Sequence, residues 1–216
     1  MGHAPHFPLP TFQSRVVPVI VIHHADLAVP LARALLKGGI DVMEITLRHA
    51  AGLAAIEQVA RAVPKMCVGA GTVTRAHEFA QVKACGAQFA LSPGLTQELV
   101  QAARDAQLPY LPGVMTPSEA LQAQAWGHTL LKLFPAAQAG GLGLLKAMAG
   151  PLSDVRFCPT GGISPANLVA HLQQANVALV GGSWITPLDW IEQQRWDDIT
   201  RLALEATQLA HSAHAV

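Results

Sequence analysis

Eight short apolar runs, each followed by an alanine-rich segment of helical character, constrain this 216-residue chain more than anything else in it. The runs, rich in β-branched residues, are 16–22, 42–47, 67–73, 89–92, 110–114, 130–134, 155–158 and 178–180. Between them lie segments that read as helices: 27–37, 51–62, 76–85, 96–106, 117–126, 142–148, 165–174 and 196–210. Such alternation is the pattern of βα units on a parallel sheet. Strand starts recur at intervals of roughly two dozen residues, near the minimum for strand, loop, helix and return loop, which predicts a compact (β/α)8 TIM barrel; an open doubly wound sheet is the alternative. Gly38-Gly39, Gly86, Gly127 and Gly150 fall where helix C-caps belong. With no linker or composition break, the chain reads as one α/β barrel domain, residues 15–216, behind a short N-terminal extension, residues 1–14, placed to cover the barrel bottom.

Composition narrows the function classes. A chain that is 51% hydrophobic and 13% charged, with 14 basic and 14 acidic residues, has a core to bury and no basic cluster, so no nucleic-acid footprint is expected. Any anionic ligand must be caught locally. The N-terminus lacks a basic segment followed by an apolar one, and no apolar run reaches membrane-spanning length, so neither a signal peptide nor a membrane contact is expected. Cys67, Cys85 and Cys158 are odd in number and far apart, which argues for a reducing, cytoplasmic setting.

In such a barrel the active site forms at the C-terminal ends of the strands, so polar residues there are the candidates. Lys132, one of only five lysines, sits within Leu130-Leu131-Lys132-Leu133-Phe134, and it alone lies in an expected buried strand. An unpaired ammonium in such a place costs several kcal/mol, and a lysine so placed tends to shed its proton. A neutral amine is a nucleophile. The plain alternative is a stem packed on the strand with its charge reaching solvent. In Val42-Met43-Glu44-Ile45-Thr46-Leu47-Arg48 the two-residue period puts Glu44, Thr46 and Arg48 on one face, inward, with Arg48 nearest the top. Glu44 then needs a cation, and Arg48 or Lys132 could serve. Two opposite charges inside a barrel favour chemistry, since stability gives weak grounds for keeping such a pair.

The seventh and eighth runs exit through Thr160-Gly161-Gly162-Ile163-Ser164-Pro165 and Gly181-Gly182-Ser183-Trp184. Glycines there let backbone N–H groups approach a ligand, and Ser164-Pro165 reads as the N-cap and first position of a helix, the recurrent setting of a phosphate site in these barrels. Gly69-Ala70-Gly71-Thr72 and Ser92-Pro93-Gly94 add close-approach backbone around the same mouth. His23, His24 and His49 follow the first and second runs without metal-ligand spacing, so no metal is expected. The other seven histidines read as surface residues. Trp126, Trp184, Trp190 and Trp196 read as packing anchors or subunit contacts, and Arg156, at the opposite face, as structural.

With these residues in view, the chain resembles the bacterial 2-keto-3-deoxy-6-phosphogluconate (KDPG) and 4-hydroxy-2-oxoglutarate (KHG) aldolases from about residue 16 to residue 210. The resemblance is carried in order by PVIVI from Pro18, EITLR from Glu44, GAGTV from Gly69, SPGLT from Ser92, KLFPA from Lys132, RFCPTGGISPAN from Arg156 and GGSW from Gly181. It implies a class I, Schiff-base-forming, cofactor-free lyase of homotrimeric (β/α)8 architecture, with pyruvate and a phosphorylated keto-deoxy sugar acid as its small-molecule partners. It further implies that Lys132 is the Schiff-base lysine and Glu44 the acid/base. Arg48 and Thr72 match the groups that hold the pyruvate carboxylate, Phe134 and Pro93 stand beside the lysine, and Thr160 matches a residue linked to stereochemical preference. Gly161, Gly162, Gly182 and Ser183 fall at the phosphate end. Many relatives carry arginine or lysine where this chain has His23-His24. The related phosphogalactonate aldolases, a phosphosugar isomerase or thiamin-phosphate-type synthase lacking an imine-forming lysine, and a non-catalytic phosphometabolite sensor are the alternative readings.

Overall fold

The computed structural model describes residues 8–213, so the first half of the expected N-terminal extension, residues 1–7, lies outside the described residues. Among the described residues nine parallel strands are separated by helices except between β5 and β6: β1 Val16–Ile20, β2 Val42–Thr46, β3 Cys67–Gly71, β4 Ala90–Leu91, β5 Tyr110–Leu111, β6 Gly113–Val114, β7 Leu130–Leu133, β8 Arg156–Pro159 and β9 Val180–Gly182. They form a curled α/β sheet in two pieces, one of six strands in the order β5-β4-β3-β2-β1-β9 and one of three in the order β6-β7-β8.

Of the expected (β/α)8 barrel the hydrogen bonding shows a curled parallel α/β sheet, in two ladders and nine strands rather than eight. The run expected over 110–114 is broken at Pro112, which has no N–H to donate, although its carbonyl still accepts from Lys132 N at 2.9 Å. Between β8 and β9 only two isolated bridges, Phe157 to Val177 and Thr160 to Gly181, continue the pairing. Register fixes which side chains share a face: Glu44 lies opposite Val19 and Gly69, and Lys132 opposite Gly113 and Cys158.

The helices cover the sheet for the reason their sequences give. In α1, Ala28–Lys37, the buried residues Ala28, Leu31, Ala32 and Leu35 recur at helical spacing, and Gly38 closes it with its N–H on Ala34 O. Each buried leucine contributes roughly 1.5–3 kcal/mol. The long C-terminal helix, Trp196–Ser212, returns to pack on α1: Thr200 and Thr207 hydroxyls donate to Ala34 O and Gly38 O, and a side chain at Gly38 would run into Ala203. At the sheet's opposite end, backbone N–H groups of Gln13 and Ser14 donate to the Asp41 carboxylate at 2.7 and 2.9 Å, and Phe12 packs on Phe89. Two short helices, Ala136–Ala139 and Leu188–Glu192, were not anticipated from the sequence pattern.

Candidate active site

The polar face of β2 points inward. Glu44 and Thr46 are buried, the Thr46 hydroxyl donating to Ile20 O at 2.8 Å, while Arg48, just past the strand end, is exposed. Across the interior, the Lys132 amine donates to both Glu44 carboxylate oxygens, at 2.9 and 3.3 Å, with the two side chains 5% and 1% exposed. The structure thus settles Glu44's partner as Lys132 rather than Arg48. It also answers the question of the misplaced amine: the group is not snorkelling but paired in the dark. The Phe134 ring lies 5.5 Å from Lys132 Nζ, within cation–π range.

The room for this pair is made by glycine. Gly71 at the end of β3 faces the Glu44 carboxylate so closely that any Cβ would occupy the space of its Oε1, Cγ and Cδ atoms. Thr72, directly after it, holds a left-handed backbone at φ 59°, a strained conformation for a β-branched residue that costs on the order of 1–3 kcal/mol. Cys158, in register with Lys132, is buried, and burial pushes its thiol up to about 12, so it stands beside the pair as a neutral group.

Phe134 also lines a cleft of about 120 Å³, whose lining does not include Lys132 or Glu44 themselves. Arg48, Phe134, Thr160, Gly161, Gly162, Gly182 and Ser183 all line it, so residues from the ends of β2, β7, β8 and β9 converge as the strand positions predicted. Gly161 and Gly162 adopt φ of 96° and 80°, which a side chain would resist. Their loop is tied down by Asn167, whose amide donates to Gly162 O at 2.8 Å and whose carbonyl accepts from Ser164 N at 2.9 Å. Ser164 is the N-cap of the helix Pro165–Leu172, and Asn167 reaches back to its N–H as the partner in a capping box.

Thr72 and Pro93 are not among the cleft-lining residues. Pro93 instead presses its backbone on Gly113, the in-register neighbour of Lys132. His23 and His49 meet at the rim, ring centroids 4.7 Å apart, with His23 Nδ1 2.9 Å from Glu192 Oε1. Among the described residues no group of three or more His, Cys, Asp or Glu side chains is placed to hold a metal ion. His128 and His171 are buried rather than at the surface, His128 edge-on to the Tyr110 ring and His171 on the inner side of its own helix, Pro165–Leu172, with Nδ1 2.9 Å from Asn167 O. Arg156 is exposed at the far end of β8, beside Arg15, which bonds the carbonyls of Leu172, Val177 and Ala178. Sequence reasoning missed Cys158, although its place two residues before Thr160 on a strand was signal enough that both share a face.

A buried lysine–carboxylate pair inside a parallel sheet, with a glycine-walled cleft at the C-terminal ends of its strands, defines a lysine-centred α/β enzyme site. The chain belongs to the KDPG and KHG aldolase family, whose profile matches residues 11–202. It is 48% identical over 193 residues to the KHG/KDPG aldolase of Escherichia coli, covering 89% of this chain and 91% of that protein. It is 47% identical over 194 residues to the 2-dehydro-3-deoxy-phosphogluconate aldolase of Pseudoalteromonas atlantica, covering 90% of each. Among solved structures, the KDPG aldolase of Legionella pneumophila, with pyruvate captured at low pH as a covalent carbinolamine intermediate, superposes with a TM-score of 0.88 at 45% identity, covering 90% of this chain and 94% of that one.

Proposed function

We propose that this chain is a class I aldolase that cleaves 2-dehydro-3-deoxy-6-phosphogluconate to pyruvate and glyceraldehyde 3-phosphate, and 4-hydroxy-2-oxoglutarate to pyruvate and glyoxylate. The observation that carries the reading is the buried 2.9 Å contact of Lys132 Nζ with Glu44 Oε1. Glu44 accepts a proton from Lys132, and the freed amine attacks the C2 ketone to form a carbinolamine. Glu44 returns the proton to the departing hydroxyl, which leaves as water, and the protonated imine becomes an electron sink. A carboxylate that has just given up its proton is then the base for the C4 hydroxyl, directly or through a water. The C3–C4 electron pair flows to the imine nitrogen, releasing the aldehyde and leaving an enamine; C3 takes the proton back from Glu44, and hydrolysis frees pyruvate. Acid/base help of this kind is typically worth about 10²–10⁴ in rate.

Arg48, at the cleft wall beside Phe134, is suited to a bidentate grip on the C1 carboxylate that turns the ketone toward Lys132; Thr72 and Pro93 are assigned to the same carboxylate side on the family resemblance. We read Thr160 as the residue facing the C4 centre, and Gly161, Gly162, Gly182 and Ser183 as the phosphate end, a reading supported by their lining one cleft. The mechanism calls on no metal or cofactor. We read residues 15–216 as one catalytic domain forming a closed (β/α)8 barrel behind an extension of residues 1–14, a reading supported by the β1–β9 pairing, the two β8–β9 bridges and the docking of the last helix on the first. A cytoplasmic homotrimer completes it, supported by the family resemblance and by three unpaired cysteines. No helix among the described residues is long and apolar enough to cross a membrane.

Incubation with pyruvate and borohydride tests the centre. Wild-type protein should carry a reduced pyruvyl adduct on the peptide containing Lys132, and Lys132→Ala should carry none; an adduct that persists in the variant overturns the assignment.

A further inference from the structure

We propose that Tyr110 and Ser92 are positioning residues: their paired hydroxyls hold the Pro93-Gly94 loop against the strand beside Lys132 and so set the pyruvate wall of the site. The identity of the ligand rests on the aldolase reading above; the geometry stands apart from it. Ser92 is wholly buried at the end of β4, and Tyr110, at the start of β5, is 5% exposed. Their oxygens are 2.5 Å apart.

Counting donors fixes the direction of that bond. The single Ser92 O–H donates to Gly94 O, also at 2.5 Å, so Ser92 Oγ must accept from the Tyr110 hydroxyl. Its second lone pair takes Gly113 N–H at 3.4 Å. Burial pushes the Tyr110 phenol up, which keeps it a donor, and its ring is clamped edge-on by Phe79 at 5.1 Å and His128 at 5.5 Å. One serine hydroxyl thereby joins the loop after β4, the ring on β5 and the backbone of β6.

The consequence reaches Lys132 through Gly113. A Cβ there would collide with Pro93 C and O and with Ser92 O, so the loop backbone lies directly on that residue. Gly113 is the in-register partner of Lys132, whose own N–H donates to Pro112 O. A shift of the Pro93 loop and a shift of the lysine-bearing strand are therefore coupled. Ser92 also serves Gly94 O and Gly113 N–H, so its loss costs stability as well, whereas the Tyr110 hydroxyl serves Ser92 alone among these bonds and its removal isolates the positioning role.

The experiment is borohydride trapping of pyruvate as a function of pyruvate concentration, alongside inhibition by inorganic phosphate, for wild type, Tyr110→Phe, Ser92→Ala and the double variant. Tyr110→Phe keeps the ring packing and folds; its half-maximal pyruvate concentration should rise about fivefold, with phosphate inhibition unchanged. Ser92→Ala should rise further, and the double variant no further than Ser92→Ala alone, because both act through one hydroxyl. Absence of trapping in the wild type overturns the aldolase reading itself. Trapping in the wild type with the same pyruvate dependence in Tyr110→Phe, or an equal loss at the pyruvate and phosphate ends, overturns the positioning role alone.

Discussion

Glu44 and Lys132 are 88 positions apart in sequence, yet their side chains meet at 2.9 Å with almost no exposure to solvent. Breaking such a buried pair by removing one partner strands a charge, whereas replacing both with apolar groups is often neutral or stabilising. Lys132→Met should therefore lower the unfolding free energy by about 3 kcal/mol, and Lys132→Met combined with Glu44→Leu should restore it to within about 1 kcal/mol of wild type. Urea denaturation checks both; a single variant as stable as wild type would show that the pair is not sealed from water.

Gly71 gives the carboxylate its seat. A methyl group at that position enters the volume of Glu44 Oε1, and the strained Thr72 beside it leaves little backbone freedom to relax the clash. Gly71→Ala should leave the protein folded but push Glu44 aside, lowering turnover by about 10²-fold, the same direction expected of Glu44→Gln, while pyruvate is still trapped as the imine. Single-turnover cleavage measures it, and a wild-type rate in Gly71→Ala would mean the carboxylate needs no fixed seat.

The parts of this architecture that sequence reading reached are those set by local period. Alternation along β2 placed Glu44 and Thr46 inward and Arg48 at the top, and glycine pairs at the exits of β8 and β9 marked one wall of the cleft. What it could not reach depends on long-range register. The choice of Lys132 over Arg48 as Glu44's partner, the seating of Glu44 on Gly71, and Pro93 against Gly113 all require strands far apart in sequence to slide into one alignment. Pro112 is a different case: its missing N–H was readable, but the apolar run around it hid the break. The burial of His128 against Tyr110, and of His171 within its own helix, is tertiary packing that polarity alone does not foretell.

Two thiols make stability fall with alkaline pH. Burial, with Asp41 adding to it, pushes Cys67 from 9.0 up to about 12, and burial does the same for Cys158 despite the opposing pull of Lys132. In the unfolded chain both ionise near 9, while the folded protein keeps them neutral, so the unfolded state binds fewer protons across that interval. Their contribution is fully present below pH 9 and is lost as pH rises from 9 to about 12. Denaturation midpoints measured across this range should decline, and the decline should be shallower in Cys67→Ala; an unchanged slope would assign the alkaline loss to other groups.

Ser183 decides how the far end of the substrate is received. It is exposed at the cleft wall, facing the glycines of the β8 exit, so a glutamate there is tolerated by the fold but brings a negative charge to where the phosphate would lie. At about 4 Å and the effective dielectric of a protein surface, like unit charges repel by up to about 4 kcal/mol, and a phosphate carries nearly two. Ser183→Glu should therefore cut kcat/KM for the phosphorylated six-carbon substrate roughly a hundredfold, and that for 4-hydroxy-2-oxoglutarate, which is shorter and carries no phosphate, only a few-fold. Added salt should recover part of the larger loss by screening. Equal losses on the two substrates would place the phosphate elsewhere and leave the glycine wall without a ligand.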